Sequence, residues 1–305
     1  MKIALLGKNG QLGWELQRTL APLGEVVALD YPEIDLARTD QACQIIREIQ
    51  PQVIVNATAY TAVDRAESEA ELAMTINGLA PGKLAQTAAE LRAVFIHYST
   101  DYVFDGKKSS AYLESDIPNP LSVYGSSKLA GEQAVAKVNG AHLILRTSWV
   151  YSLRRDSFVT KVLSWARQNR TLRVVTDQVS NPTWARMLAE VTGLMLAKAS
   201  PDIRGWICER KGLYHLAGSG CASRYEWAQA IIRHDPRRAE QIIEELQPAL
   251  TDEFPAPAQR PLYSCLDCSL FSERFGLRLP DWENALKLAM QVNHYPFLKT
   301  DPKKE

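Results

Sequence analysis

A glycine-punctuated loop near the start of the chain constrains its fold more than any other feature. Residues 3–6 are apolar, as in the central strand of a parallel sheet, and residues 14–23 have a helical pattern. Between them, the loop at 7–13 reads Gly-Lys-Asn-Gly-Gln-Leu-Gly. Glycines here allow a tight turn and let the backbone and the helix N-terminus approach a pyrophosphate. The spacing Gly-x-x-Gly-x-x-Gly departs from the commoner Gly-x-Gly-x-x-Gly, so a simple structural turn is the alternative.

Strands and helices continue to alternate as far as about residue 151. Regular alternation of this kind indicates a parallel sheet with right-handed crossovers. The predicted fold class is therefore α/β, a Rossmann-type doubly wound parallel sheet with a smaller, partly discontinuous α/β substrate domain. The further strands predicted for the sheet are 25–29, 53–55, 94–98, 143–146 and 212–216.

The rhythm of the chain changes after residue 151, and its C-terminal part is richer in proline and less regular. We expect a dinucleotide-binding Rossmann domain and a substrate domain that covers the carboxyl edge of the sheet. The two domains are assigned, in order, residues 1–150 with about 183–217, and residues of about 151–182 with 218–298. The charged residues 299–305 predict a disordered tail.

The charge balance excludes some classes of partner. The chain has 305 residues and a formal net charge of zero, which gives no electrostatic reason to expect a nucleic acid or an anionic membrane. It has no apolar run of about 20 residues that could cross a membrane. The apolar start is too short for a signal peptide and ends at Lys8. We therefore expect a cytoplasmic protein that acts on a small molecule.

Cysteine usage favours a reduced, metal-free chain. Five cysteines are present, and an odd number in a chain of this length does not suggest a disulfide framework. Cys265 and Cys268 have the spacing of zinc ligands, and Cys208 with Cys221 could complete such a site. No second close pair supports that alternative. We expect five reduced cysteines and no metal site.

Tyr124 and Lys128 form a candidate catalytic pair. Pro120 precedes a helical stretch over 121–137 that contains both residues. Positions i and i+4 of a helix share one face, about 6 Å apart along the axis. A nearby ammonium favours the phenolate, so we expect Lys128 to lower the pKa of Tyr124 and let it exchange a proton at neutral pH. Chance is the alternative, because Tyr-x-x-x-Lys is a weak motif by itself.

Polar side chains follow two of the predicted strands, at the edge where doubly wound sheets bind ligands. Asp30 follows the second strand and could accept hydrogen bonds from an adenosine ribose, which would favour NAD. Lys8 and Arg38 could offset this preference, so NADH and NADPH both stay open. Thr100 follows the fourth strand and is a candidate to hold a substrate oxygen. The alternatives are a turn-capping aspartate and a loop hydroxyl that bonds its own backbone.

Several longer strings occur in order along the chain. They are Gly-Gln-Leu-Gly at 10–13, Ala-Val-Asp-Arg-Ala-Glu at 62–67, Ser-Thr-Asp-Tyr-Val-Phe-Asp-Gly at 99–106, Leu-Ala-Gly-Glu at 129–132, Arg-Thr-Ser-Trp-Val-Tyr at 146–151, and Asp-Gln at 177–178 before Pro-Thr at 182–183. With the glycine loop and the Tyr-Lys pair, the chain resembles the extended short-chain dehydrogenase/reductases. Within that superfamily it is similar to the dTDP-4-dehydrorhamnose reductases, from residue 1 to about residue 267.

The resemblance implies an activity and a set of catalytic residues. The reaction would reduce the C4 ketone of dTDP-4-dehydro-L-rhamnose to dTDP-L-rhamnose with hydride from NADPH or NADH, the last step of dTDP-L-rhamnose biosynthesis. Tyr124 would be the proton donor, Lys128 would bind the nicotinamide ribose, and Thr100 would hydrogen-bond the ketone oxygen. Asp101 and Trp149 would contact the dTDP-sugar together with Thr100.

Further binding residues follow partly from the resemblance and partly from chemistry. Arg260 is our own candidate for the diphosphate, because a guanidinium fork suits phosphate oxygens, and a surface arginine is the alternative. Carried over by position, the cofactor contacts are Gly7, Gly10, Gln11, Leu12, Gly13, Asp30, Asp35, Leu36, Ala59, Tyr60, Thr61, Tyr98, Tyr124 and Lys128.

Two features depart from the family pattern. Some members dimerise through Mg²⁺ bound by glutamates, and Glu15 fits one such position. Arg186 stands where a second acid is expected, which argues against a shared Mg²⁺. We expect a monomer or a homodimer. The segment 205–211 looks like a local insertion without an assigned function.

Two other functions remain open from the sequence. Another nucleotide-sugar reductase or epimerase of the same fold would use the same tyrosine and lysine with different substrate groups. A non-catalytic NADP-binding subunit, similar to the regulatory subunit of methionine adenosyltransferase, is the alternative from a different class. The presence of Thr100, Tyr124 and Lys128 together favours catalysis.

Overall fold

A six-stranded sheet lies at the centre of the structure, a computed structural model that describes residues 1–291. The predicted tail at 299–305 lies outside the described residues. Within residues 1–291, no helix has both the length and the apolar character needed to span a bilayer.

In chain order the strands are β1 (Lys2–Leu6), β2 (Glu25–Leu29), β3 (Val53–Asn56), β4 (Val94–Thr100), β5 (Ala141–Thr147), β6 (Val150–Tyr151), β7 (Thr171–Val175), β8 (Val179–Ser180), β9 (Thr183–Trp184), β10 (Gly212–His215), β11 (Ala222–Ser223) and β12 (Glu245–Ala249). The helices are α1 (Gln11–Leu20), α2 (Thr39–Ile49), α3 (Val63–Ala66), α4 (Ala70–Ala73), α5 (Ala80–Glu90), α6 (Val123–Ala136), α7 (Phe158–Gln168), α8 (Ala185–Lys198), α9 (Ile203–Cys208), α10 (Arg224–His234), α11 (Ser269–Phe275) and α12 (Trp282–Gln291).

The order of strands in the central sheet is β2-β1-β3-β4-β5-β10, and every neighbouring pair is parallel. β2 lies on one side of β1 and β3 on the other, so the chain changes direction across the sheet between β1 and β3. Doubly wound sheets bind ligands at such a switch point, beyond the carboxyl ends of the strands. The prediction of a Rossmann-type doubly wound parallel sheet is confirmed.

Alternate residues of β1 enter two separate hydrophobic cores, one on each face of the sheet. Ile3 and Leu5 pack with residues of α1, α8 and α11, whereas Ala4 and Leu6 pack with residues of α2 and α5. All four side chains are fully buried. Burial on both faces explains why the strand reads as a continuous apolar run and not as an alternating one.

A second region is built from short strand pairs and three helices. β6 pairs with β9 and β7 with β12 in parallel, whereas β8 pairs with β11 in the antiparallel direction. Its core surrounds Trp227 and Tyr151, which pack among residues of α7, α10 and α12. The chain leaves this region to add β10 to the main sheet and then returns to it.

α6 begins later than the sequence predicts. It begins at Val123, because the side chain of Ser122 accepts a hydrogen bond from the backbone N of Gly125 at 3.2 Å and caps the helix. A second helix, α5, is preceded by α4 and by a π-helical segment, Met74–Leu79, which runs directly into α5. Single π-helical segments of this kind are frequent at functional sites.

The segment 205–211, which resembles an insertion in sequence, contributes to the main core. It contains the second half of α9, where Ile207 is fully buried and Trp206 packs against the same cluster. Asp202 caps this helix by accepting a hydrogen bond from the backbone N of Gly205 at 2.9 Å. The segment 205–211 therefore contributes side chains to the main hydrophobic core.

The expectation of five reduced cysteines is wrong for one pair. Cys221 and Cys265 form a disulfide, with Cα atoms 6.1 Å apart. Asn181 brings the two loops together, since its Nδ2 donates to Gly220 O at 2.9 Å and its Oδ1 accepts from Leu266 N at 2.7 Å. The two cysteines are separated by 44 residues in sequence, so spacing alone carries no signal of the bond. The free cysteines are Cys43, Cys208 and Cys268.

Candidate active site

A cavity of about 520 Å³ lies at the switch point of the sheet, beyond the carboxyl ends of β1, β3 and β4. Its volume is in the range of small-ligand sites. The predicted cofactor residues that line it are Gly7, Gly10, Gln11, Leu12, Asp30, Ala59, Thr61, Tyr98, Tyr124 and Lys128. The lining residues that the sequence did not single out are Ala57, Thr58, Ser99, Thr147, Val150, Arg155 and Asp156. We call this the first cavity.

The glycine loop shapes one wall of the first cavity. Gly7 has φ +88°, and a Cβ at this position would lie 2.9 Å from Ala57 O. α1 begins at Gln11, earlier than predicted, and includes Gly13 in its first turn. A Cβ on Gly13 would lie 1.9 Å from Gly7 O, so loop and helix pack as closely as a pyrophosphate site requires.

Asp30 lies at the carboxyl end of β2, on the wall of the first cavity. Its Oδ2 accepts a hydrogen bond from Asn9 N at 2.9 Å, and its Oδ1 accepts one from Tyr31 N at 2.9 Å. Lys8, a candidate to offset this charge, donates instead to Glu33 at 2.6 Å. That bond lowers the pKa of Glu33. Lys8 therefore does not neutralise Asp30.

Three buried polar atoms on the wall of the first cavity have no hydrogen-bond partner within residues 1–291. They are Gln11 Oε1, Ser99 Oγ and Thr147 Oγ1. Buried polar groups are normally paired, because an unpaired one costs about 1–3 kcal/mol. Their convergence on one cavity indicates a polar ligand. Together with the glycine cradle, these groups fit a dinucleotide cofactor.

Tyr124 lies in the first turn of α6, with its side chain beside that of Thr100 at the end of β4. Burial raises the pKa of Tyr124 above its usual value; the hydroxyl of Thr100 opposes this rise, and Asp101 and Tyr102 add to it. Lys128 is not among the groups that set this pKa. The predicted lowering of the pKa of Tyr124 by Lys128 is therefore wrong for this structure, and Tyr124 is protonated at neutral pH.

Lys128 lies one turn further along α6 and is only 1% exposed. Its Nζ donates to Tyr98 O at 2.7 Å and lies 3.4 Å from His97 Nε2. The side chain is therefore anchored on β4. Burial lowers the pKa of Lys128 to about 8, against the opposing charge of Glu132. The ammonium form still prevails at neutral pH.

The carboxylate of Asp101 is enclosed by hydroxyl groups. Its Oδ1 accepts from Thr100 Oγ1 at 3.1 Å. Its Oδ2 accepts from Ser180 Oγ at 3.1 Å and from Ser264 Oγ at 2.6 Å. Burial raises the pKa of Asp101 to about 6, although these three bonds oppose the rise. Asp101 is outside the lining of the first cavity, and in this structure it holds Thr100 in place.

A second cavity, of about 940 Å³, lies beside α7 and the loop at 250–262. Arg260 lines it, together with Arg173 and Arg224, and the lining also includes two carboxylates, Asp177 and Asp252. Arg260 donates to Asp64 Oδ2 at 2.7 Å, and this bond lowers the pKa of Asp64. The aromatic side chains in its lining are Phe158, Trp165 and Phe254.

Trp149 is packed in a strained backbone conformation. Its φ is +40°, which is uncommon for a residue other than glycine. The indole stacks on Trp227 with ring centres 5.4 Å apart, and the guanidinium of Arg224 lies 3.6 Å from the centre of the indole. Strain of this kind persists where the surrounding structure holds a side chain in place. Arg224 connects Trp149 to the second cavity.

Four of the predicted cofactor residues lie outside the lining of the first cavity. Gly13 packs against the backbone of Gly7 and so shapes the cavity without lining it. Leu36 is buried in the core shared with α2, and Asp35 Oδ1 accepts from the backbone of Ala37 at 2.9 Å. The hydroxyl of Tyr60 donates to a carboxylate, Glu69 Oε2, at 2.5 Å.

The position of the expected magnesium ligand is occupied by an ion pair. Arg186 Nε lies 3.3 Å from Glu15 Oε2 and supplies a positive charge beside that carboxylate. Burial raises the pKa of Glu190, one turn further along α8. Among residues 1–291, no group of three or more His, Cys, Asp or Glu side chains is arranged to hold a metal ion.

Two arginines in the cavity walls were not predicted from the sequence as site residues. Arg155 lines the first cavity and donates to Asn9 O, bridging the glycine loop. Arg224 begins α10, and burial lowers its pKa to about 10. Both positions depend on how the second region packs against the sheet, which the local sequence does not encode.

The comparison with known proteins identifies the family. A model of the RmlD substrate binding domain matches residues 1–294. The dTDP-4-dehydrorhamnose reductase of Burkholderia thailandensis is 43% identical over 294 residues, which cover 95% of this chain and 98% of that protein.

Solved structures agree with this match. The crystal structure of a dTDP-4-dehydrorhamnose reductase from Clostridium acetobutylicum has a TM-score of 0.87 and 33% identity, and the match covers 96% of this chain and 99% of the other. The Bacillus anthracis dTDP-4-dehydrorhamnose reductase in complex with NADP has a TM-score of 0.85 and 31% identity, covering 95% and 99% of the two chains. The chain therefore belongs to the dTDP-4-dehydrorhamnose reductase family of extended short-chain dehydrogenase/reductases.

Proposed function

We propose that this chain reduces the C4 ketone of dTDP-4-dehydro-L-rhamnose to dTDP-L-rhamnose with a nicotinamide cofactor, NADPH or NADH. The observation that carries the proposal is that Tyr124 and Lys128 both line a cavity suited to a dinucleotide, with Thr100 beside Tyr124. The names of the relatives support it, as does the NADP complex of the Bacillus anthracis protein.

Different residues of the first cavity would bind different parts of the cofactor. Gly7 and Gly10, with the N-terminus of α1, would hold the pyrophosphate. Asp30 would accept hydrogen bonds from the adenosine ribose, and Lys128 would donate to the nicotinamide ribose. The bound cofactor supplies the hydride, and the protein supplies position and charge.

Tyr124 would give its proton to the C4 oxygen as negative charge develops there, and Thr100 would donate a hydrogen bond to the same oxygen. Interactions that strengthen with this charge lower the barrier, because they favour the transition state over the ground state. The raised pKa of Tyr124 keeps the hydroxyl protonated at neutral pH, as a proton donor requires.

We place the nucleotide half of the substrate in the second cavity. Arg260 would bind the diphosphate, after exchanging its bond with Asp64 for phosphate oxygens. Arg224 adds a second guanidinium, and Trp149, which stacks beside it, would face the sugar. This arrangement assigns the nucleotide sugar to the domain of about 151–182 and 218–298 and leaves the first cavity for the cofactor.

The test is an oxidation assay with dTDP-4-dehydrorhamnose, run with NADPH and NADH in turn, in which loss of nicotinamide absorbance is compared with product formed. We expect stoichiometric consumption of cofactor. In Tyr124→Phe, turnover is expected to fall by about 10²–10⁴ while cofactor affinity is kept. Cofactor that is recycled, not consumed, would indicate an epimerase. Binding of NADPH without oxidation would contradict the reductase function and favour a non-catalytic subunit.

A further inference from the structure

A line of buried polar side chains connects Lys128 to the opposite wall of the first cavity. Lys128 Nζ lies 3.4 Å from His97 Nε2, and His97 Nδ1 lies 3.1 Å from Asn56 Nδ2. Asn56 Oδ1 accepts from Thr58 twice, from the backbone N at 3.1 Å and from Oγ1 at 2.5 Å. His97 and Asn56 are 0% exposed. Since Thr58 and Lys128 both line the cavity, each end of the line opens into it.

The backbone of Thr58 fixes the orientation of the Asn56 amide. A backbone N–H can only donate, so the atom of Asn56 that faces it is the carbonyl oxygen. The NH₂ group of Asn56 must then face His97 and donate to Nδ1. His97 is neutral, because burial, and then the charge of Lys128, lowers its pKa well below the usual value. The single proton of the neutral ring therefore lies on Nε2, which faces Lys128.

This tautomer makes His97 a donor towards a lysine that is itself a donor when charged. A neutral amine has a lone pair that can accept the Nε2–H bond, whereas an ammonium has none. The contact therefore favours the neutral amine in addition to the effect of burial. The charge of Glu132 favours the ammonium form of Lys128 instead. Glu132 is itself paired with Arg146, which donates to its two oxygens at 2.9 Å and 2.7 Å. Of the titratable and charged groups around Lys128, His97 lies in contact with its Nζ, and Glu132 acts on it through charge.

We propose that His97 is a positioning residue for Lys128: held as the Nε2–H tautomer by Asn56, it places a hydrogen-bond donor beside the lysine and shifts the lysine towards the neutral amine. Oxygens of an incoming ligand accept hydrogen bonds from the ammonium and reverse this shift, so binding and protonation of Lys128 are coupled. The tautomer of His97 is independent of the proposed function, and only the coupling to cofactor binding rests on it.

The tautomer is tested by ¹⁵N spectroscopy of the full chain labelled at histidine, with the His97 signals assigned through His97→Gln. We expect a proton on Nε2 and none on Nδ1. In Asn56→Asp the carboxylate accepts from Nδ1–H while its other oxygen still accepts from Thr58, so the tautomer should reverse. Thr58→Val is the matched control, because it keeps the backbone N–H that orients Asn56 and should keep the wild-type tautomer. A wild-type ring protonated on Nδ1, or an unchanged tautomer in Asn56→Asp, overturns the assignment.

The coupling is tested by the affinity for NADPH as a function of pH. Affinity is expected to fall as pH rises through the pKa of Lys128, since the neutral amine donates fewer hydrogen bonds. In Asn56→Asp, His97 presents an acceptor to Lys128, and the fall should move to higher pH by about one unit. In Thr58→Val the fall in affinity should occur at the same pH as in the wild-type chain. An unchanged fall in Asn56→Asp overturns the coupling. A chain that binds NADPH with the expected pH profile but oxidises none contradicts only the proposed reductase function.

Discussion

Replacing Glu132 with glutamine is expected to destabilise the fold far more than a comparable change at the surface. Arg146 donates from Nε to Glu132 Oε1 at 2.9 Å and from Nη2 to Oε2 at 2.7 Å. The two side chains are only 3% and 4% exposed. In Glu132→Gln the guanidinium stays buried without its paired carboxylate, and one of its N–H groups faces an amide NH₂.

The structure also sets the magnitude of this effect. Besides Glu132, the guanidinium of Arg146 contacts His215, whose pKa burial lowers to about 3 so that it is neutral, and the ring of Phe104, with its centre 5.0 Å away. Glu114 is a further carboxylate near Arg146 and interacts with it through charge. None of these replaces the paired carboxylate of Glu132, so the loss should be that of a broken buried pair, about 3–5 kcal/mol. With a slope of about 3 kcal/mol per M, the urea midpoint should fall by about 1 M or more.

Glu90→Gln is the matched control. Glu90 pairs with Arg47 at 3.0 Å, but these side chains are 57% and 42% exposed, so the loss should stay below about 1 kcal/mol. The assay is equilibrium unfolding in urea, followed by fluorescence for the wild-type chain and both variants. A midpoint in Glu132→Gln that falls no further than in Glu90→Gln would refute the reasoning from burial.

Three further predictions follow from the site. In Gly13→Ala the added Cβ lies 1.9 Å from Gly7 O, so the affinity for NADPH, measured by titration, should fall by about 10²; unchanged affinity would exclude the loop from the cofactor site. Arg260→Ala should raise KM for the nucleotide sugar by about tenfold or more while kcat changes less, and an unchanged KM would remove Arg260 from the diphosphate site. Burial raises the pKa of Asp101 to about 6, so this group contributes stability at low pH that is lost as pH rises through that value. Urea midpoints of Asp101→Asn relative to wild type should therefore increase between about pH 4 and about pH 7, and a constant difference would contradict the raised pKa.

The architecture follows from the sequence because its signals are local and repeated. The first four strands of the sheet are largely apolar, and each is followed by a helix, so the parallel sheet is the consistent solution. The tight turn of the loop at 7–13 could also be predicted from the sequence, since the close approach of Gly7 and Gly13 is a steric requirement that only glycine meets. The length of the helix at 74–90 was less readable, because a π-helical segment leaves no distinct pattern of residue types.

The detailed chemistry of the site depends on contacts between distant parts of the chain. Helical spacing places Tyr124 and Lys128 on one face, but it does not show that Lys128 donates to β4 at Tyr98 O. The direction of the pKa shift of Tyr124 was therefore predicted wrongly, since burial dominates and Lys128 is not among the groups that set this pKa. The buried partner of Arg146 and the disulfide of Cys221 likewise depend on tertiary packing and not on spacing.

The pairing of β10 with β5 has a consequence for the order in which the chain folds. Residues 148–211 separate the two strands, so this edge of the sheet closes only after a long loop has been ordered. Pairings of high sequence separation form slowly. Until then β5 presents an unpaired apolar edge to which another chain could add. Nascent chains that have not yet produced β10 should therefore be the aggregation-prone species, and the ones that depend most on chaperones.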